Sequence, residues 1–143
     1  MLKFKLLPFL FIFFLFLGCE QKVDSGVAKI NWDRDMCDRC VMVLSDRKHT
    51  IQLRDPSSKK VYKFDDIGCM VLWFNEEKIA YRDSVQIWIT DAISGEWISA
   101  REAFYTTQNV TPMAYGFSAY KSKESIKIGE EIITYDEVLK RVK

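Results

Sequence analysis

The sequence predicts an α+β fold made of two related strand-strand-helix units with an antiparallel sheet. Three observations carry that prediction. Apolar residues alternate with period two and then switch to helical spacing over residues 41–75. "VYKFDDI" at residues 61–67 then returns as "IITYDEV" at residues 132–138, a shift of 71 that sets aromatic on aromatic, acid on acid and aliphatic on aliphatic. Between the two copies, "VQIWITD" and "EWISA" flank a turn at Ser94 and Gly95, which reads as a hairpin. Helices packed on an antiparallel sheet are the stable way to bury such faces.

The elements follow from the N-terminus. Lys3 and Lys5 precede "LLPFLFIFFLFLG", an uncharged apolar run from Leu6 to Gly18 that is short for a membrane span, so residues 1–18 read as a secretory signal. An uncleaved anchor helix is the alternative. The run closes on "LFLGC", where small Gly18 precedes Cys19 and Phe16 stands three residues before the cysteine, so Cys19 reads as the lipidated residue of a lipoprotein. Stable anchoring needs more than one acyl chain, which a tri-acylated Cys19 would supply. Glu20, rather than aspartate, follows Cys19 and favours outer-membrane sorting where that rule applies. Residues 19–33 are polar, carry Ser25 and Gly26, and are expected to form a spacer between the lipid and a domain over residues 34–143.

Within that domain "CVMVLS" and "HTIQL" read as strands, "DPSSKK" (residues 55–60) as a turn and "VYKF" as the returning strand. "DDIGCMVLWFN" starts a helix on its acids, with Ile67, Met70, Val71 and Phe74 on one face. Thr134 with Glu137 makes a capping box for the last helix, "YDEVLKRV". Under the shift of 71, Met42 falls on Met113, each 23 residues before Asp65 or Asp136.

Charge and cysteine count narrow the function. Taking Lys3 and Lys5 from the 21 basic residues leaves 19 against 20 acidic, so the mature surface has no global attraction for nucleic acid. With Cys19 lipidated, Cys37, Cys40 and Cys69 remain, and an odd count in an oxidising compartment argues against a complete disulfide framework. No nucleophile stands beside a base in the sequence, so no hydrolase constellation is found and the chain reads as a non-enzyme. Cys69, inside a helix, reads as a buried apolar residue, and His49, alone at a strand start, as a surface residue.

"DMCDRCVM", residues 35–42, concentrates the chemistry. On a strand, Cys40 and Met42 would share a face, because side chains alternate with period two. Met113 would arrive from the second unit as a further soft donor. Polarisable sulfur selects Cu(I) over harder divalent ions. Cys37 then serves as an alternative thiolate or as a disulfide partner of Cys40. Three other readings stay open. Zinc would need Cys69, His49 or a carboxylate to complete Cys37 and Cys40, and methionine suits it poorly. A redox dithiol would use the C-x-x-C pair, although there it opens a helix, whereas a strand is expected here. The methionines could also be ordinary core fillers.

"CDRCVMV", "VYKFDD", "IWITDAISGEWISAREAFY" and "TPMAYGF", in that order, resemble the NosL family of copper-binding lipoproteins, accessory to nitrous oxide reductase. The resemblance spans nearly the whole mature chain. It implies a domain of two ββα-type units, Cu(I) as cargo, and delivery by ligand exchange for assembly of the copper centre of nitrous oxide reductase. Partners would be that reductase or its membrane maturation transporter, met by a lipid-anchored protein facing the periplasm. Residue by residue it implies Cys40, Met42 and Met113 as ligands. The chain departs from the pattern at Val41, where the family usually has glycine, and in "MAYGF", which lacks a histidine often found after the Pro-Met pair.

Overall fold

The computed structural model describes residues 26–143, so the signal and the lipidated Cys19 expected from the sequence lie outside the described residues. Four strands form one antiparallel sheet: β1 (Ile51–Arg54), β2 (Val61–Phe64), β3 (Ile87–Thr90) and β4 (Trp97–Ser99), in the order β2-β1-β3-β4. A second sheet holds β5 (Phe104–Thr106), β6 (Ser118–Tyr120) and β7 (Ile132–Ile133), in the order β6-β5-β7. Helix α1 (Ile67–Glu76) follows β2, and α2 (Tyr135–Arg141) follows β7. The α+β class with antiparallel strand-strand-helix units is therefore the observed one. Among the described residues no helix is long and apolar enough to cross a membrane.

The core explains the pairing. Ile51 faces Phe64 and Ile89 in register, and all three are buried. The opposite face of β1 is covered as well, because buried Gln52 exchanges two hydrogen bonds with the backbone of Ala28 (2.8 and 3.0 Å). Ala28 belongs to the stretch expected as spacer; the described part of that stretch is bonded to the domain, with Ile30 buried and the Asp33 N–H donating to the Leu44 carbonyl at 2.9 Å. Trp73 of α1 meets Tyr62 and Phe64 of β2 at ring-centroid distances of 4.6 and 5.3 Å. Such tilted pairs add to the area they bury and fix the helix on the strand.

Both helices are capped as the sequence suggests. Asp66 caps α1, its Oδ1 accepting from the Gly68 N–H at 3.2 Å, and Thr134 caps α2, accepting from the Glu137 N–H at 3.4 Å. Each cap satisfies one of the N–H groups that a helix start leaves without a partner. The caps also show where the internal repeat slips. They lie 68 residues apart rather than 71, so Phe64 ends a strand while its counterpart Tyr135 begins a helix. Asp65 is accordingly buried before its helix, while Asp136 is exposed in the first turn of α2.

The first strand expected, over "CVMVLS", is absent. Residues 37–42 form a turn closed by the Cys37 N–H to the Met42 carbonyl (2.8 Å) and the Val41 N–H to the Cys37 carbonyl (3.1 Å), with a lone bridge between Met36 and Val43. Val41 sits at φ 63, in the left-handed region where glycine is unstrained and a β-branched residue is not. That is the position where the resemblance leads one to expect glycine, and the backbone gives the reason.

Candidate metal centre

The turn docks on the open edge of β2. The Asp38 N–H donates to the Lys63 carbonyl at 2.8 Å, and the Lys63 N–H donates to the Asp38 carboxylate at 2.7 Å. The Lys63 ammonium pairs with Asp35 and holds that carboxyl below its usual range. Arg39, between the two cysteines, makes a two-pronged ion pair with Glu76 at the end of α1 (3.0 and 2.8 Å). Strand edge and helix end thus hold the turn from both sides.

The result is a nest of four donors. Cys37, Cys40 and Cys69 converge with Asp65, their ligand atoms all within 4.8 Å of one another. Cys37, Cys69 and Asp65 are buried, and Cys40 is half-buried at the mouth. The Cys40 thiol donates to the Asp65 carboxylate at 3.3–3.4 Å. All three cysteines are free thiols.

The thiols are not equivalent. The Cys69 thiol donates to Cys37, and the backbone N–H groups of Cys40, Arg39 and Asp65 also face that sulfur; against the opposing effect of burial they bring Cys37 from the ordinary 9.0 down to about 6. Successive N–H groups in a tight turn make such an anion-holding concavity. Burial pushes the Cys40 thiol up to about 12, reinforced by Cys37 and Asp65. Cys69 is pushed up chiefly by donating to Cys37 and then by burial. The nest thus favours ionisation at Cys37 and disfavours it at Cys40 and Cys69.

The sequence-predicted residues divide. Cys37 and Cys40 are brought together. Met42 lies at the rim of the turn with 52% of its surface exposed, and because the segment is a turn it shares no strand face with Cys40. Met113 is partly buried on the loop of residues 111–116, which is tied to the start of α1: Asp66 accepts from the Thr111 hydroxyl (2.6 Å) and from the Met113 N–H (3.2 Å). Burial raises the Asp66 carboxyl despite these donors. Tyr115 of the same loop lies over Gly68, where an added Cβ would stand 2.0 Å from the ring. The loop bearing Met113 therefore rests on the helix start that supplies Asp65 and Cys69.

Sequence reading did not single out Asp65, and it counted Cys69 as a donor only under the zinc alternative, taking it otherwise for a buried apolar residue. The available signal was the doubled acid of "DDIGC": one aspartate suffices to cap a helix, and the other precedes Cys69 by four residues. His49 is not a surface residue either. It bridges Asp46 (2.8 Å) and Ser118 of β6 (2.9 Å), joining the first unit to the second sheet. This Asp-His-Ser chain has the outline of a nucleophilic triad, but Ser118 is 3% exposed, so no substrate reaches its hydroxyl in this arrangement.

Fold and site together define a small α+β domain with a sulfur-rich nest suited to a cation. The sequence matches no protein-family model and no curated protein. Among solved structures the chain is similar to the crystal structure of the copper chaperone NosL from Shewanella denitrificans, with a TM-score of 0.66 over 79% of this chain and 95% of that one. Identity is 16%, so the likeness is one of fold. It is the fold that the sequence motifs led one to expect.

Proposed function

We propose that the chain is a membrane-tethered carrier of Cu(I) that releases its cargo by ligand exchange, without chemical turnover. The observation that carries this reading is the gathering of Cys37 and Cys40 in one nest, with Met42 exposed on the same turn. The fold shared with a copper chaperone supports it. Soft thiolates and thioethers match a polarisable monovalent ion, and Cys37 provides a thiolate whose single charge balances one Cu(I). Cys40, Met42 and Met113 are the proposed companions, with exposed Met42 as the point where an incoming ligand first shares the ion. A thiol-disulfide oxidoreductase is disfavoured because Cys37, the low-pKa thiol, is 2% exposed and out of reach of a substrate disulfide. The recipient in this proposal is nitrous oxide reductase or its membrane maturation transporter, on the periplasmic side, with Cys19 carrying the anchor.

Anaerobic competition with a Cu(I) chelator tests the ligand set. Cys37→Ser and Cys40→Ser should each weaken Cu(I) binding strongly and Met42→Leu less, the latter with a stability change under about 1.5 kcal/mol because volume is conserved. Unchanged Cu(I) affinity in both Met42→Leu and Met113→Leu would remove the thioethers from the site. The anchor is tested separately. Cys19→Ala should move the protein from the membrane to the soluble fraction with its thermal midpoint unchanged, and retention in the membrane would reject lipidation at that residue.

A further inference from the structure

We propose that the free edge of β4 is a docking site for an extended segment of a partner protein, added to the sheet as a further strand antiparallel to β4. The two edges of the four-stranded sheet differ. At β2 the edge is closed by the cysteine turn, whose Asp38 N–H donates to the Lys63 carbonyl. At β4 the edge is open. The Asp91 N–H bonds the Glu96 carbonyl (2.8 Å) and the Ala100 N–H bonds the Ile87 carbonyl (2.9 Å), so Glu96, Ile98 and Ala100 are the residues whose backbone faces β3. Backbone groups of an antiparallel strand alternate from side to side, so those of Trp97 and Ser99 point away from β3. The Ser99 carbonyl is already taken by the N–H groups of Glu102 and Ala103 (3.3 and 3.1 Å). Among the described residues the Trp97 N–H, the Trp97 carbonyl and the Ser99 N–H are left without a hydrogen-bond partner. An open edge of this kind is a template for another strand.

The groove beside that edge says what kind of strand fits. Its volume is about 410 Å³, within the range of ligand clefts, and its lining includes Trp88, Trp97, Ser99, Glu102 and Lys121. Trp88 opposes Ser99 in register, so the two indoles lie on one face of the sheet, both half-buried. Incoming residues opposite Trp97 and Ser99 would share that face, and apolar side chains there gain cross-strand contact. The ends of the groove carry opposite charges. Lys121 stands at the start of β4, 4.0 Å from Glu96, and Glu102 follows its end. An antiparallel partner runs from the Glu102 end to the Lys121 end, so the complementary segment has a basic residue before its alternating apolar pair and an acidic residue after it. One such strand meets all the open groups, with one residue opposite Trp97 and another two positions earlier. A second copy of this chain is the poorer occupant, because two-fold pairing of β4 with itself asks each Ser99 carbonyl to accept a third N–H with only two lone pairs. Docking here leaves the cysteine turn at the opposite edge uncovered.

The probe is the fluorescently labelled peptide Lys-Thr-Val-Thr-Val-Thr-Glu, blocked at both ends and titrated by anisotropy into the full-length chain in detergent. Saturable binding below about 1 mM is expected, with the second valine opposite Trp97. Methylating the backbone nitrogen of that valine removes its donor to the Trp97 carbonyl, and affinity should fall about 3- to 10-fold, the worth of one hydrogen bond. Exchanging the terminal lysine and glutamate should weaken binding as well. On the protein side, Ser99→Pro deletes an outward N–H and leaves the pairing with β3 in place, as proline on an edge strand permits, and it should weaken the unmodified peptide by a similar factor. Circular dichroism checks that this variant is folded. The unmutated chain decides the matter independently of it: absence of saturable binding, or equal affinity for the methylated and unmethylated peptides, overturns the proposal. Equal affinity in folded Ser99→Pro does so too. Sedimentation should show one chain per particle at the titration concentrations, and a dimer that Ser99→Pro dissociates would assign the edge to a second copy and reject the peptide.

Discussion

At the scale of single residues, Cys37 has the most unusual environment. Its sulfur faces the Cys69 thiol and three backbone N–H groups, all of which favour the thiolate over the thiol. A group whose folded value is depressed from 9.0 to about 6 binds fewer protons when folded than when unfolded between those limits. Stability therefore rises with pH across that window, is fully present above about 9, and is lost as pH falls through about 6. Cys40 has the opposite sign: its contribution is present below 9 and lost as pH rises toward about 12. Metal-free, reduced protein should accordingly show ultraviolet thiolate absorbance with a midpoint near pH 6, and Cys37→Ser should lack it. A parent protein with no thiolate absorbance below pH 8 would show that the N–H groups do not hold the charge. The same residue shows what a sequence can reveal about a site. The spacing of Cys37 and Cys40 is visible in the chain, whereas the N–H groups around Cys37 depend on a turn that the alternation of "CVMVLS" conceals. That alternation is real, but Val41 at φ 63 breaks it, and no local pattern announces a valine in that conformation.

At the scale of elements, the start of α1 organises the site. Residues 65 to 69 supply a carboxylate, a cap, a bare backbone and a thiol in turn, and only the cap and the helical spacing behind it were legible beforehand. The bare backbone is Gly68, which leaves room for Tyr115. Replacing a helical glycine by alanine ordinarily stabilises by about 1 kcal/mol. Here the added methyl would sit 2.0 Å from Cγ of Tyr115 and 2.3–2.4 Å from the two Cδ atoms, so the ring must leave or the helix must shift. Overpacking of that kind costs about 1–3 kcal/mol, and Gly68→Ala should be destabilising on balance. In a Tyr115→Ala background the clash is gone, and Gly68→Ala should become neutral or stabilising. Denaturant titration of the four proteins measures the coupling, and additive effects would mean that the ring does not rest on the helix.

At the scale of the molecule, the two units are joined by a few long-range polar contacts that the sequence could not disclose, since each partner is unremarkable alone. His49 reaches Ser118, Asp91 accepts from the Lys121 N–H at 2.8 Å, and Asp66 holds the loop of residues 111–116. Asp66 matters most because it is also the cap of α1, so one carboxylate fixes helix, loop and the loop's Met113 together. Asp66→Ala removes the cap and leaves the buried Thr111 hydroxyl and the Met113 N–H without their acceptor. At about 1 kcal/mol for the cap and 1–3 kcal/mol for the stranded donors, the loss should be several kcal/mol. Asp66→Asn should cost less, since the hydroxyl can reverse and accept from the amide whereas the Met113 N–H cannot. The two variants also predict a pH dependence. Burial raises the folded Asp66 carboxyl above its ordinary 3.8, so the native state binds more protons than the unfolded chain between those values. That contribution is present below the unfolded value and lost as pH rises through the folded one. The stability gap between parent and Asp66→Asn should therefore be widest in acid and narrow as pH rises past the raised value. A gap that widens with pH would show that the donors around Asp66 outweigh its burial, and that the ionised carboxylate is the preferred form at the junction of the two units.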